Sequence, residues 1–155
     1  MADQVEKVGL ADAVTHLLEE CRMVLPGVQA LFGFQLIAVF NAGFGDKLSG
    51  AEQRLHLLAL ALVAMAGALI MAPAALHRLS GPRFASEQFL RVASRFLLAS
   101  MLPLMLGMGL DFYLIARIIL ASAPHAAAAA ALLVGFFAAC WFLFPGAYRR
   151  RVHKA

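Results

Sequence analysis

The sequence predicts an all-α integral membrane protein: a four-helix bundle preceded by an amphipathic cytoplasmic helix, in a single domain over residues 1–155. Of its 155 residues, 63% are hydrophobic and 14% are charged, whereas soluble domains have about 45–50% and about 25%. The hydrophobic residues form four runs of roughly 20, the length at which an α-helix spans a bilayer. Because these runs are continuous rather than alternating, they are not membrane β-strands.

The first predicted element is a helix over residues 3–20. Asp3 and Glu6 have the spacing of a capping pair at its start. This helix is acidic, so we expect it to face a basic protein surface rather than anionic lipid. Its apolar residues recur at three- and four-residue steps, on one face: Val5, Val8, Ala11, Val14 and Leu18.

Four spanning helices follow, over about residues 23–44, 55–76, 96–119 and 126–148. Pro26 is expected either to bend the chain where the first helix meets the first span or to lie in the first turn of that span. Gly107 and Gly109 of the third span would let another helix or subunit approach closely. A stripe of alanines does the same in the second span: Ala61, Ala64, Ala68, Ala72 and Ala75.

Basic residues predict the orientation of the spans. Arginines are concentrated between the second and third spans and in the tail, whereas the other two connections are close to neutral. Because positively charged loops stay in the cytoplasm, both termini are expected there. The same residues explain the net charge of +4, so no nucleic-acid partner is predicted.

Polar residues within or beside the first span are candidates for function, because each is costly in hydrocarbon. Gln29 and Gln35 are expected on different faces, about 9 Å apart along the axis. They either bond to neighbouring helices or, for Gln29 above all, line a hydrated pathway. Glu20 and Arg22 would then lie at its cytoplasmic mouth; the alternative is an interfacial ion pair.

Two further candidates lie in other spans. Asp111 is the single acid deep in a span, and a carboxylate there needs a partner, water or a proton. We expect either a functional role for it or an outer-leaflet partner such as Arg54 or His56. His77 ends the second span, and histidine can titrate near neutral pH, so it is either a gate or an ordinary interfacial residue.

No catalytic or metal-binding chemistry is indicated. The sequence has no metal-spaced histidine cluster, no nucleophile motif and no phosphate-binding loop. Its two cysteines, Cys21 and Cys140, lie far apart in the chain and do not suggest a disulfide or a metal site. We therefore predict no enzyme activity and no cofactor.

Three segments of the chain, ECRMVLPGVQ, APAALHR and RVASR, resemble a family of small bacterial four-span membrane proteins. That family is a domain of unknown function, some of whose members carry automatic sodium/proton antiporter labels. The resemblance covers roughly residues 15–120 and implies a location in the bacterial inner membrane. It gives weight to five of the candidates: Glu20, Arg22, Pro26, Gly27 and Gln29.

A looser architectural likeness is to store-operated calcium channel subunits. Those subunits also have an N-terminal extension and four spans, and they place the first helix around a central pore. Their pore has an acid near the outer end of this helix, where this chain has Gln35 and Asn41.

These observations predict a homo-oligomeric cation channel or transporter with the first span lining the pathway, since one four-helix bundle leaves little room for an aqueous path. The expected partners are the lipid bilayer, further copies of the chain, and monovalent or divalent cations. The alternative is a non-transporting scaffold or sensor subunit that binds a cytoplasmic or membrane partner.

Overall fold

A computed structural model of the protein describes residues 9–80 and 86–152. The start of the predicted helix 3–20, with its capping pair Asp3 and Glu6, lies outside the described residues. The two described segments are helical apart from short connections, and they contain no strand. The predicted all-α class is therefore confirmed.

The helices follow one another through short connections. Four segments are long and apolar enough to cross a membrane, so the chain is a multi-pass membrane protein. The described elements, in chain order, are α1 (Leu10–Val39), α2 (Phe44–Lys47), α3 (Gly50–Ser80), α4 (Glu87–Leu120), α5 (Ala123–Ala138), a π-helical segment (Ala139–Leu143) and α6 (Phe144–Val152).

Helix α1 differs from the prediction. It runs without interruption through Pro26, so the described part of the chain has no separate amphipathic helix joined to the first span by a bend. An interior proline removes one helical hydrogen bond. Packing offsets that loss, because Cys21 before the proline and Val28 after it are both buried in the core. The helix also ends at Val39, which places Phe44 in α2 rather than in the first span.

Capping residues start α3 and α4 earlier than the predicted positions 55 and 96. At α3, Oγ of Ser49 accepts a hydrogen bond from the amide of Glu52 at 3.4 Å, and Oε2 of Glu52 accepts one from the amide of Ser49 at 2.8 Å. At α4, Oγ of Ser86 accepts a hydrogen bond from the amide of Phe89 at 3.1 Å. Both serines are N-caps of the type that begins a helix.

Helix α4 lies at the centre of the bundle and packs against α3, α5 and, less extensively, α1. A Cβ on Gly107 would lie 2.9 Å from Cγ2 of Val63 and 3.1 Å from the carbonyl oxygen of Ala59, so only glycine permits this approach of α4 to α3. A Cβ on Gly109 would overlap Cγ2 of Val134 in α5. Gly107 and Gly109, which the sequence predicted to allow close approach of another helix, both lie at helix contacts.

The alanine stripe predicted for the second span lies mostly on the exposed side of α3. Ala64 and Ala68 are exposed, whereas Ala59 and Ala66 are fully buried. The buried face is therefore turned relative to the predicted stripe, because the close contact at Gly107 selects the side of α3 that carries Ala59.

The bundle has two chemically different ends. One end, which we call the basic end, contains the start of α1, the end of α3 and the start of α4; it carries Arg22, Arg78, Arg91 and Arg95. The other end, which we call the α2 end, contains the connection from α1 through α2 to α3.

Candidate functional site

Three polar side chains from three spans meet towards the α2 end, and we call them the polar triad: Gln35 of α1, His56 of α3 and Asp111 of α4. Gln35 is 4% exposed and His56 is 7% exposed, and Asp111 is half-buried. Nε2 of Gln35 donates a hydrogen bond to Oδ2 of Asp111. Nδ1 of His56 lies 3.3 Å from Oδ1 of the same carboxyl group.

Helix register brings His56 and Asp111 together. Asp111 lies one turn beyond Gly107, and residues four apart share a helix face. His56 lies three residues before Ala59, whose carbonyl group faces Gly107. Because α3 and α4 run in opposite directions, the close contact at Gly107 and Ala59 points both side chains into the same layer.

The contacts of His56 suit a proton shared with Asp111. Nε2 of His56 lies 3.0 Å from the carbonyl oxygen of Gln35, and a carbonyl oxygen only accepts, so Nε2 carries a hydrogen. In a neutral ring Nδ1 then has only a lone pair. Its contact with a carboxyl oxygen of Asp111 is attractive only when a proton lies on Nδ1 or on that oxygen. The pair is therefore a candidate site for one proton.

Two oxygens of the triad keep free acceptor capacity. Oε1 of Gln35 and Oδ1 of Asp111 are buried and accept no hydrogen bond from the described residues. The contact of Oδ1 with His56 meets the distance of an ion pair but not the alignment of a hydrogen bond. Buried acceptors without donors are costly, and oxygens of this kind suit a bound proton, a cation or water.

A path of two adjoining cavities leads from the α2 end to the triad. The inner cavity, of about 290 Å³, is lined by the triad and by apolar side chains. Phe34 and Ile115 of this lining are exposed at the bundle surface, so the cavity also opens to the side. The outer cavity, of about 500 Å³, adds the polar residues Asn41 and Lys47. The ring of Phe44 in α2 lies edge-on to His56, with ring centres 5.3 Å apart. The two cavities share four lining residues: Ala38, Phe44, Leu48 and Ile118.

Apolar packing closes this path beyond the triad. Between the triad and the basic end, Val63 and Ala66 of α3 are 0% exposed and Ile70 is 1% exposed. Cys21 and Val28 of α1 and Ala93 of α4 complete this core. The path therefore ends at Asp111 and His56.

A second ion pair lies nearer the α2 end. Nε of Arg117 is 3.6 Å from Oε1 of Glu52, which ties the last turn of α4 to the first turn of α3. Arg54, one of the two partners predicted for Asp111, is exposed, and the carboxyl group contacts His56 instead.

The structure separates the other predicted candidates from the triad. Glu20, Pro26, Gly27 and Gln29 lie on exposed sides of α1. A Cβ on Gly27 would meet no atom of the described residues within 4 Å, so this glycine does not serve a close helix contact within the chain. Arg22 and His77 lie together at the basic end, where they line a different cavity.

The sequence analysis treated His56 only as a partner for Asp111, although this histidine lines the path and bonds to α1 as well. The sequence signal that could have identified it as a site residue was its place at the start of an apolar span, where a buried imidazole needs two hydrogen-bonding partners.

The model of a family described as a family of unknown function (DUF6328) matches residues 7–145. No curated protein and no solved structure matches the chain.

Proposed function

The chain belongs to this DUF6328 family of unknown function, and we propose that it is a cation transporter of the bacterial inner membrane whose polar triad binds a proton. The observation that carries the proposal is the contact between Asp111 and His56, whose Oδ1 and Nδ1 atoms lie 3.3 Å apart at the inner end of the two cavities from the α2 end. Ionisable residues within spans are expensive, and in pumps and transporters they serve as proton relays.

The one-sided path favours a transporter over an open channel. A channel needs a continuous path, whereas a transporter exposes a site within the membrane to one side at a time. The packed core at Val63, Ala66 and Ile70 closes the triad from the basic end. Transport would require a second arrangement in which this core opens and the α2 end closes around Phe44.

The first span contributes to this pathway through Gln35. Gln29, which the sequence analysis placed in the pathway, lies on the exposed side of α1. Assembly into a homo-oligomer remains part of the proposal, because an amide facing hydrocarbon needs a partner and a second copy of α1 could supply one. The triad is complete within one chain, so binding of the proton does not depend on that assembly.

The proposed orientation places both termini in the cytoplasm. Arg22, Arg78, Arg91 and Arg95 at the basic end support it, since basic residues beside short loops stay on the cytoplasmic side. The path to the triad would then open outward.

Proton flux into liposomes containing the purified chain tests this function. We expect the wild-type protein to dissipate a pH gradient faster than protein-free liposomes, and Asp111→Asn to slow this by about tenfold or more, because the amide cannot bind and release the proton. Glu87→Gln is the matched control: it removes the same charge at an exposed position and should leave the rate within about twofold. Wild-type flux equal to that of empty liposomes would contradict the proposal, and so would full flux in Asp111→Asn.

The competing function is a non-transporting scaffold or sensor in which the triad only holds three helices together. The packed core beyond the triad is the observation that favours it. In that case the wild-type protein gives no flux, while Asp111→Asn still lowers the free energy of unfolding.

A further inference from the structure

A separate cavity lies at the basic end, between α1 and α3, and we call it the basic pocket. Its volume is about 290 Å³. Arg22 of α1 and His77 and Arg78 of α3 supply its polar lining, and Cys21, Leu25 and Met71 are among its apolar neighbours. Among residues 9–80 and 86–152, no acidic side chain lines it.

The basic groups of this pocket have no acidic partner within the described chain. The salt bridges among the described residues include neither Arg22 nor Arg78. Two other acids are paired elsewhere, Glu19 with His16 at 3.7 Å and Glu87 with Arg91 at 3.4 Å. Glu20 is exposed and forms no salt bridge with Arg22 among the described residues.

His77 adds a third unsatisfied group. Its Nδ1 is buried and has no hydrogen-bond partner among the described residues, and its ring lies beside that of Phe89 of α4 at 5.8 Å. Two guanidinium groups and an imidazole around one cavity match the chemistry of a phosphate group, which accepts several charge-assisted hydrogen bonds.

A largely apolar groove continues from the pocket towards the middle of the membrane. It has a volume of about 300 Å³ and shares Leu25 and Met71 with the pocket. The rest of its lining comes from both helices, and Gln29 is the one polar side chain in it: Val28, Gln29 and Phe32 of α1, and Val63, Ala64, Gly67 and Ala68 of α3. From Ala64 to Arg78 the rise along α3 is about 21 Å, which spans half of a hydrocarbon core of about 30 Å together with part of the headgroup region.

We propose that the basic pocket and this groove bind one anionic phospholipid, with its phosphate on Arg22 and Arg78 and one acyl chain between α1 and α3. Basic pockets between spanning helices are suited to anionic headgroups. A lipid accounts for both parts of the cavity, whereas free phosphate accounts for the pocket alone. The site does not involve the polar triad.

Lipid binding to the purified full chain in detergent, titrated with phosphatidylglycerol and followed by native mass spectrometry, tests this site. The double variant Arg22→Gln, Arg78→Gln should bind about 30-fold more weakly, because two basic residues facing an anionic headgroup are lost. The matched control is Arg91→Gln with Arg95→Gln, which removes two positive charges at the same end but outside the pocket; its affinity should stay within about threefold of wild type. Equal losses in the two variants would reduce the effect to general surface charge and overturn the proposal.

Two further ligands test whether the site requires a net negative charge and whether it binds a whole lipid rather than free phosphate. Phosphatidylcholine should bind at least about tenfold more weakly than phosphatidylglycerol, since it carries no net charge. Inorganic phosphate in millimolar excess should not displace phosphatidylglycerol; displacement would assign the pocket to free phosphate and overturn the lipid proposal.

Two more variants test the groove and the role of charge. Ala68→Phe fills the groove and should weaken phosphatidylglycerol binding by about tenfold, the equivalent of roughly two methylene groups left outside it. The variant Arg22→Lys, Arg78→Lys keeps both charges and should bind within about fivefold of wild type. A loss in the lysine variant as large as in the glutamine variant would show that the arginines maintain structure rather than hold an anion, which would overturn the proposal.

Discussion

The polar triad and the basic pocket lie towards opposite ends of the contact between α1 and α3. They differ in the burial of their polar side chains and in whether these side chains bond to one another. Along α3, His56 and Arg78 are separated by a rise of about 33 Å. In the triad, the side chains from three helices contact one another and are largely buried. In the basic pocket, the side chains come from two helices, and the two guanidinium groups are exposed and form no salt bridge with described residues.

This difference separates groups that stabilise the fold from groups that are available to a ligand. A buried network depends on all of its members, because removing one leaves the others desolvated and unpaired. Exposed basic groups keep their hydration, so their removal changes binding rather than folding. The two regions therefore predict opposite responses to substitution.

The largest expected contrast is between His56→Leu and Arg78→Gln. Loss of the imidazole removes its contact with Asp111 and the bond to the carbonyl group of Gln35, so we expect the free energy of unfolding to fall by about 2–4 kcal/mol. Arg78→Gln should change it by less than about 0.5 kcal/mol. Unfolding of both variants in mixed micelles, followed by circular dichroism, measures the two changes.

A double-mutant cycle sharpens this contrast. His56→Leu combined with Asp111→Asn should cost less than the sum of the single changes by about 1–3 kcal/mol, because the two groups contact each other. Additive costs would show that the 3.3 Å contact between His56 and Asp111 does not stabilise the fold.

The sequence predicted the class of the fold and the cost of Asp111, but not the composition of the triad. Long apolar runs specify spanning helices whatever their neighbours, since hydrocarbon requires every backbone group to be paired internally. Which side of α3 faces α4 depends on the contact of Gly107 with Ala59 and Val63, a relation between distant segments. For that reason His56 was named only as a partner, and Gln29 was preferred to Gln35.

The continuity of α1 through Pro26 has a similar origin. Local chemistry favours a break, because proline removes a helical hydrogen bond. Tertiary packing decides the outcome, since Cys21 and Val28 on either side of the proline both join the core. The sequence shows the local cost but not the packing that offsets it.

A second contrast, of intermediate size, tests the packing that supports each region. Gly107→Ala should destabilise the chain by about 1–3 kcal/mol, because its Cβ would meet Val63 at 2.9 Å and the backbone carbonyl of Ala59 at 3.1 Å. Gly67→Ala, beside the groove, should be neutral or stabilising by up to about 1 kcal/mol, since its Cβ would meet only Cγ1 of Val28, at an ordinary 3.8 Å. Unfolding in mixed micelles compares the two alanine variants. Equal stability would show that α3 and α4 can move apart at little cost. The contact of Gly107 with Ala59 would then not be what brings His56 and Asp111 together.

The smallest contrast concerns the two capping serines, one at each end of the bundle. The hydroxyl group of Ser49, at the α2 end, donates a hydrogen bond to Oε2 of Glu52 at 2.7 Å and accepts one from the Glu52 amide at 3.4 Å, and Glu52 also reaches Arg117 of α4 at 3.6 Å. Ser86, at the basic end, accepts a single bond from the amide of Phe89. Replacement by alanine should therefore cost about 1–1.5 kcal/mol at Ser49 and about 0.5–1 kcal/mol at Ser86. Amide hydrogen exchange in the first turns of α3 and α4 measures the local effect. We expect a larger increase in exchange rate in Ser49→Ala than in Ser86→Ala. A larger increase in Ser86→Ala would contradict the prediction, because the cap at the α2 end would then contribute less than the one bond of Ser86.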